Sequence, residues 1–216
     1  MLASADAGPS IGQIMLMSKE ALGRRVLADP RIQMYSCGRD DIRGGVIDRR
    51  VLATLEFLAQ SGLKPTVSAL KCGHSYLTTS GNVSEHSTGT AVDIAAVNGI
   101  PIAGHQGPGS ITDITIQRLL TLQGTMKPHQ IISLMTFKNA DNTLSMPDHW
   151  NHIHVGWRPM YGANKAAARQ IDQILKPNQW IKLINRLGQI DNPKVPIRPS
   201  KYSVKVTRHA AVTAGD

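Results

Sequence analysis

Asn151-His152-Ile153-His154-Val155-Gly156-Trp157 alternates without a break between two kinds of residue. Successive side chains of a strand point to opposite faces. The stretch therefore reads as a strand with His152, His154 and Gly156 on one face and Ile153, Val155 and Trp157 on the other. Upstream, residues 91–97 are apolar apart from Asp93 and read as a second strand. Residues 65–70 and 129–135 supply two more short strand candidates. Between 73 and 89 the chain is rich in Gly, Ser and Thr and has no periodicity, so it reads as a loop.

Helical patterns surround these strands. Ser18 can cap a helix carrying Ala21, Leu22, Val26 and Leu27, which Asp29-Pro30 ends. Asp48 can cap a second, with Val51, Leu52, Leu55 and Leu58 at helical spacing and Gly62 as its stop. Ser110 with Asp113 resembles a capping box opening a third, through Leu120. After Pro159 two further helices are expected over 164–175 and 178–187, then a connector set by Pro193, Pro196 and Pro199. Helices and strands without a repeating strand-helix-strand rhythm predict an α+β fold. The expected architecture is a small antiparallel sheet carrying the site, flanked by helices, with a C-terminal helical and proline-rich extension. No internal repeat is present. The corresponding division is an N-terminal helical segment over 1–44, a core over 45–158, C-terminal helices over 159–192 and a basic tail over 193–216.

The chain has 216 residues, 41% hydrophobic and 18% charged, the composition of one globular domain with appendages. Its apolar runs are too short to span a bilayer, so no transmembrane segment is expected. The net charge of +9 is uneven: residues 1–157 hold 13 basic and 12 acidic side chains, whereas 158–216 hold 11 and 3. Such a basic end either meets an acidic partner or is only a well-solvated surface. With 3 Trp, 4 Tyr and 2 Phe, stacking platforms for single-stranded nucleic acid are scarce, so no nucleic-acid partner is expected. Cys37 and Cys72 each precede a glycine. An even count fits a disulfide in an oxidising compartment or two separate buried thiols.

Two clusters carry chemistry. The first is Ser84-Glu85-His86-Ser87-Thr88-Gly89-Thr90-Ala91-Val92-Asp93, in which a loop histidine precedes a strand aspartate and the intervening glycine lets the chain fold back. The second is Asp148-His149-Trp150-Asn151-His152-Ile153-His154, with two histidines at i and i+2 on one strand face. Together they offer imidazole, carboxylate and imidazole, a three-ligand set that leaves the fourth tetrahedral position of Zn2+ for water. His74, His105, His129 and His209 have no partners at ligand spacing and read as ordinary loop or surface residues.

Ser84-x-His86-x-x-Gly89-x-Ala91-x-Asp93 with His152-x-His154 resembles the paired signatures of the LAS-type zinc metallopeptidases, the grouping of lysostaphin-type, D-alanyl-D-alanine and hedgehog-type proteins. It is most similar to the D-Ala-D-Ala carboxypeptidase and murein endopeptidase branches that carry an HxH motif. The resemblance covers roughly residues 45–158 and implies His86, Asp93 and His154 as zinc ligands. It further implies His152 as acid/base or oxyanion stabiliser, with His149 as a second catalytic histidine. Ser84 is implied beside the metal loop and Lys71 where relatives bind substrate, both grouped as substrate-binding. Relatives of the dipeptidase and carboxypeptidase type place a glutamate base three residues before the last ligand, where this chain has Asn151.

The implied activity is zinc-dependent hydrolysis of peptidoglycan stem or cross-link peptides next to D-amino acids. The alternative is a wall-binding or phage-particle component that keeps the fold without efficient turnover. A peptidoglycan substrate places the protein outside the cytoplasm or delivers it to the wall. The N-terminal residues lack the basic and apolar stretches of a cleaved signal, which leaves phage-associated delivery, another export route, a domain cut from a larger chain or a cytoplasmic cargo. The basic tail is expected to meet an anionic wall polymer or a protein partner.

Overall fold

Three helices begin at the residues expected to cap them. In the computed structural model, which describes residues 9–78 and 81–159, the Ser18 hydroxyl accepts from Ala21 N–H at the start of α2 (Lys19–Ala28). The Asp48 carboxylate accepts from Arg50 N–H at the start of α4 (Arg49–Gln60). Ser110 accepts from Asp113 N–H at the start of α5 (Ile111–Leu119). The third cap is not reciprocal, however: Asp113 Oδ2 accepts from Gly109 N–H, one residue before the cap. Val51, Leu52, Leu55 and Leu58 are buried, as their spacing on α4 requires.

Two helices were not expected. A reciprocal box between Ser10 and Gln13 opens α1 (Ile11–Leu16), which buries Ile14 and Met15. The third helix in chain order, α3 (Ser36–Arg43), has no side-chain cap, and its only buried residues are Gly38 and Ile42. A helix with one buried apolar side chain leaves no stripe to read. The expected C-terminal helices, the proline connector and the basic tail lie outside the described residues.

Among the described residues the strands are β1 (Gln33–Met34), β2 (Pro65–Ala69), β3 (Ala91–Val97), β4 (Ile100–Pro101), β5 (Gln130–Ser133), β6 (Thr143–Ser145) and β7 (Ile153–Gly156). They form one sheet in the order β1-β2-β3-β7-β5-β6, with β4 also pairing β3. The sheet is mixed rather than wholly antiparallel. Its middle pairs β2–β3, β3–β7 and β5–β7 are antiparallel, and the outer pairs β1–β2 and β5–β6 are parallel. With helices packed against it, the fold is α+β.

Strand alternation divides the two faces of this sheet. Val92 pairs with Val155 and Ile94 with Ile153, and all four join one hydrophobic core with Ile131 and Trp157. That core also holds Ile14, Leu22 and Val26 from the first two helices and Leu55 and Leu58 from α4. Contacts of α4 with β2, and of α5 with β3, put helices over this apolar face. The other face carries Asp93, paired with His154, and Ala91, paired with Gly156.

The loop between β2 and β3 lies where it can reach that second face because both its ends are tied. At one end the Tyr35 hydroxyl donates to Cys72 O and accepts from Leu70 N–H, while Asp41 Oδ2 accepts from Cys72 N–H. Cys37, on α3, is disulfide-bonded to Cys72 with Cα atoms 6.0 Å apart. Closing a loop across 35 residues of sequence stabilises the fold by about 4 kcal/mol in the chain-entropy account.

At the other end Gly89 turns the chain into β3. Its φ is +73°, and its carbonyl accepts from Asp48 N–H at the N-cap of α4. A Cβ there would run into the Val46 carbonyl oxygen. Glycine is required twice over, once for the left-handed backbone and once for the close approach. We expect Gly89→Ala to lower the unfolding free energy by at least about 2 kcal/mol, measured by urea denaturation, whereas Gly81→Ala, at φ +84° with nothing within 4 Å of its Cβ, costs less.

Candidate metal centre

The register of β3 against β7 sets Asp93 directly opposite His154. Directly opposed residues of an antiparallel pair project from the same face with Cβ atoms about 4.5–5.5 Å apart. His86 comes down on this pair from the loop. The distances between the three facing atoms are 3.2 Å from His86 Nε2 to Asp93 Oδ1, 3.2 Å from His86 Nε2 to His154 Nδ1, and 2.9 Å from His154 Nδ1 to Asp93 Oδ1. Tetrahedral ligands at about 2.0–2.1 Å from a zinc ion lie roughly 3.3 Å apart. The three atoms thus form one face of such a tetrahedron.

Proton placement shows what a cation would meet here. His86 Nδ1 lies 2.5 Å from Leu70 O, an atom that can only accept, so Nδ1 carries the proton and donates. In the neutral ring Nε2 then holds a lone pair, aimed at a carboxylate oxygen and at another imidazole nitrogen. Asp93 is 6% exposed and His154 fully buried. Burial alone would raise the Asp93 carboxyl, but the hydrogen bonds and charge of His154 and His86 outweigh it and hold the group well below the usual carboxylate range. A buried carboxylate and imidazoles meeting at one point are stabilised by a cation between them, and His74, His86 and Asp93 form a group that can hold a metal ion.

His74 also belongs to this cluster, contrary to its reading as a partnerless loop residue. A ligand atom of His74 lies within 4.8 Å of those of His86 and Asp93. Its ring stacks on His86, with centroids 4.0 Å apart and planes at 12°. Imidazole lone pairs lie in the ring plane, so two nearly parallel stacked rings do not aim at a common ion. His86 and His154, whose planes meet at 61°, do converge. The ring planes make His86, Asp93 and His154 the candidate inner triangle, with His74 stacked beside it.

The remaining expected residues surround this triangle. Ser84 is fully buried, and its hydroxyl accepts from His86 N–H at 3.2 Å and lies 3.4 Å from His74 Nδ1. It shapes the metal loop and has no surface open to a substrate. Lys71 is exposed, next in the chain to the Leu70 carbonyl that holds His86. His152 precedes β7 and is partly buried, with Nδ1 2.7 Å from Asn151 Oδ1 and Nε2 3.8 Å from Asp93 Oδ1. Burial pushes its pKa down to about 4, against the opposing pull of the Asp93 charge. His149, in the short 3-10 turn Pro147–His149, lies with Nδ1 2.8 Å from Asp148 Oδ1 and its ring 4.6 Å from that of His152. Burial lowers its pKa too, opposed by Asp148. Gln106 steadies this turn by donating to the carbonyls of His149 and Trp150.

Two further residues escaped sequence reasoning. Glu85 is 6% exposed, and its Oε1 lies 3.0 Å from His129 Nδ1. Burial raises the Glu85 carboxyl, but His129 and His154 outweigh it and hold its pKa at about 2. The only sequence signal for Glu85 is its place between Ser84 and His86, and His129 has none. His105 is exposed, its ring nitrogen beside Ala103 O, and His209 lies outside the described residues. Compared with protein-family models, with curated proteins and with solved structures, the chain matches none.

The triangle makes a stoichiometric forecast. We expect the metal-free protein to take up one divalent cation per chain, measured by elemental analysis after gel filtration. His86→Ala, Asp93→Ala and His154→Ala should each lose it, while His74→Ala should keep it.

Proposed function

We propose that the protein is a zinc-dependent peptidase that hydrolyses peptidoglycan stem or cross-link peptide bonds next to D-amino acids. The observation that carries this reading is the convergence of three ligand atoms at tetrahedral spacing with a fourth, unligated imidazole nitrogen, His152 Nε2, 3.8 Å from one of them. The donor set of two imidazoles and one carboxylate suits zinc. The wall substrate comes from the resemblance of the two motifs to the LAS-type metallopeptidases.

Bound zinc would supply Lewis acidity to a scissile carbonyl and make water a stronger acid at neutral pH. The proton chemistry falls to this chain's own side chains. Asn151 stands where LAS-type peptidases of the dipeptidase and carboxypeptidase type have a glutamate base, and its Oδ1 accepts from His152 Nδ1–H, which leaves the Nε2 lone pair facing the cluster. Burial disfavours the charged form of that ring, and its Nε2 lone pair is the acceptor that would take the proton of attacking water. The imidazolium so formed can return the proton to the departing amine. His149, fixed through Asp148, is the second imidazole in reach and can share the proton or steady the developing oxyanion.

Surface features fit a polymeric substrate. Tyr76, two residues after His74, is 68% exposed, and Trp150, next to His149, is 56% exposed. Both would offer flat apolar walls to a peptide or sugar. Lys71 would meet a peptide carboxylate. The Cys37–Cys72 disulfide favours an oxidising compartment outside the cytoplasm, where the basic residues after 157 would meet an anionic wall polymer. No helix among the described residues is long and apolar enough to cross a membrane.

The test is mass spectrometry of muropeptides released from purified peptidoglycan by the zinc-loaded protein, since fragment masses name the bond cut. His152→Ala should keep one zinc per chain and lose at least about 100-fold in kcat. Wall binding without released fragments would instead favour a wall-binding role. Loss of zinc in His152→Ala equal to that in His154→Ala would reverse the roles of the two histidines.

A further inference from the structure

We propose that Glu85 is the residue that orients the metal ligand His154, and that position 156 is glycine to make room for it. The inference rests on the reading of His86, Asp93 and His154 as a metal site and adds the group that holds one of the ligands in its binding tautomer.

The geometry begins with strand alternation. His154 and Gly156 are two residues apart on β7 and share the sheet face that carries Asp93. The Glu85 carboxylate occupies the space that a side chain at 156 would fill. A Cβ built on Gly156 collides with Glu85 Oε2 and lies 3.0 Å from His154 Nε2. Gly156 is not among the residues with positive φ, so its backbone would accept any side chain. Space, and not conformation, is what glycine provides here.

Into that space the carboxylate brings three contacts. Its Oε2 lies 3.9 Å from His154 Nε2 and accepts at 3.3 Å from Gln130 Nε2, which itself stands 3.4 Å from His154 Nε2 and bridges the two groups. Its Oε1 faces His129 Nδ1 at 3.0 Å. Gln130 is itself the cross-strand partner of Gly156 on β5, so the same register that exposes the gap also supplies a donor beside it. The His129 side chain, 34% exposed, covers the outer side, and Glu85 is thereby anchored from β5 and from the residue before it.

The chemistry follows from which nitrogen His154 uses. Its Nδ1 points at Asp93 and His86, so a metal-binding ring must carry its proton on Nε2. An anionic carboxylate beside Nε2 favours that tautomer and makes Nδ1 a better donor. His86 has its own orienting partner in the neutral Leu70 carbonyl. The two imidazoles are thus held differently, one by a neutral group and one by a charge. Asp93 and Glu85 together also place two negative charges beside the pocket, which matches a divalent cation.

The experiment uses the full-length protein and zinc alone as the probe. Zinc dissociation constants are measured by competition with a chromophoric chelator for wild type, Glu85→Gln, Glu85→Ala and Gly156→Ala, with melting of each metal-free protein as a check on folding. Glu85→Gln, which keeps the shape and loses the charge, should bind zinc 10- to 100-fold more weakly at unchanged stoichiometry, and Gly156→Ala should show a comparable loss. A wild type that binds one zinc while Glu85→Gln binds equally well overturns this inference and leaves the metal site standing. A wild type that binds no zinc overturns both. A readout without any variant is the nitrogen chemical shifts of His154 in the zinc-loaded wild type. Protonated Nε2 is expected, and a proton on Nδ1 would overturn the proposal.

Discussion

The antiparallel pairing of β3 with β7 is the constraint on which the rest of this protein depends. A shift of one residue in that register would send Asp93 or His154 to the helix-covered face and bring Val92, Ile94, Ile153 or Val155 out of the core. The same hydrophobic pairs that bury the sheet therefore position the polar ones. Burying Val92 with Val155 and Ile94 with Ile153 fixes Asp93 opposite His154, and the cost of bringing these polar groups out of water is met by apolar burial on the reverse face.

What pairing alone cannot do is bring in His86, which arrives on a loop. That loop is held at its start by α3, through Tyr35, Asp41 and the Cys37–Cys72 bond, and at its end by the N-terminus of α4, through the Gly89 carbonyl. The helices thus have a second purpose beyond covering the sheet. Each clamp acts within two or three residues of a group that touches the triangle: Leu70, whose carbonyl orients His86, or His86 itself.

Much of this was legible in the sequence because its signals are local. Ser18, Asp48 and Ser110 are caps within three residues of the groups they satisfy, and β7 announces itself by alternation. His86, Asp93 and His154 could be singled out because they lie in two short motifs. Contacts that span the chain left no such trace. His129 meets Glu85 across 44 residues and His74 stacks on His86 across 12, and neither separation has a period that reports it. The α3 helix was hidden because Ile42 is its only buried apolar side chain, although it anchors the metal loop. The role of Gly156 emerged only once the register put Glu85 above it.

The central claim is that His86 Nε2, Asp93 Oδ1 and His154 Nδ1 surround one cation. Anomalous diffraction at the zinc edge from crystals of the zinc-loaded protein tests it most directly. The account predicts a single strong peak per chain at about 2.0–2.2 Å from each of the three atoms, with His152 Nε2 outside bonding distance. A peak that takes His74 or His152 in place of His154, or zinc bound only elsewhere on the surface, would contradict it.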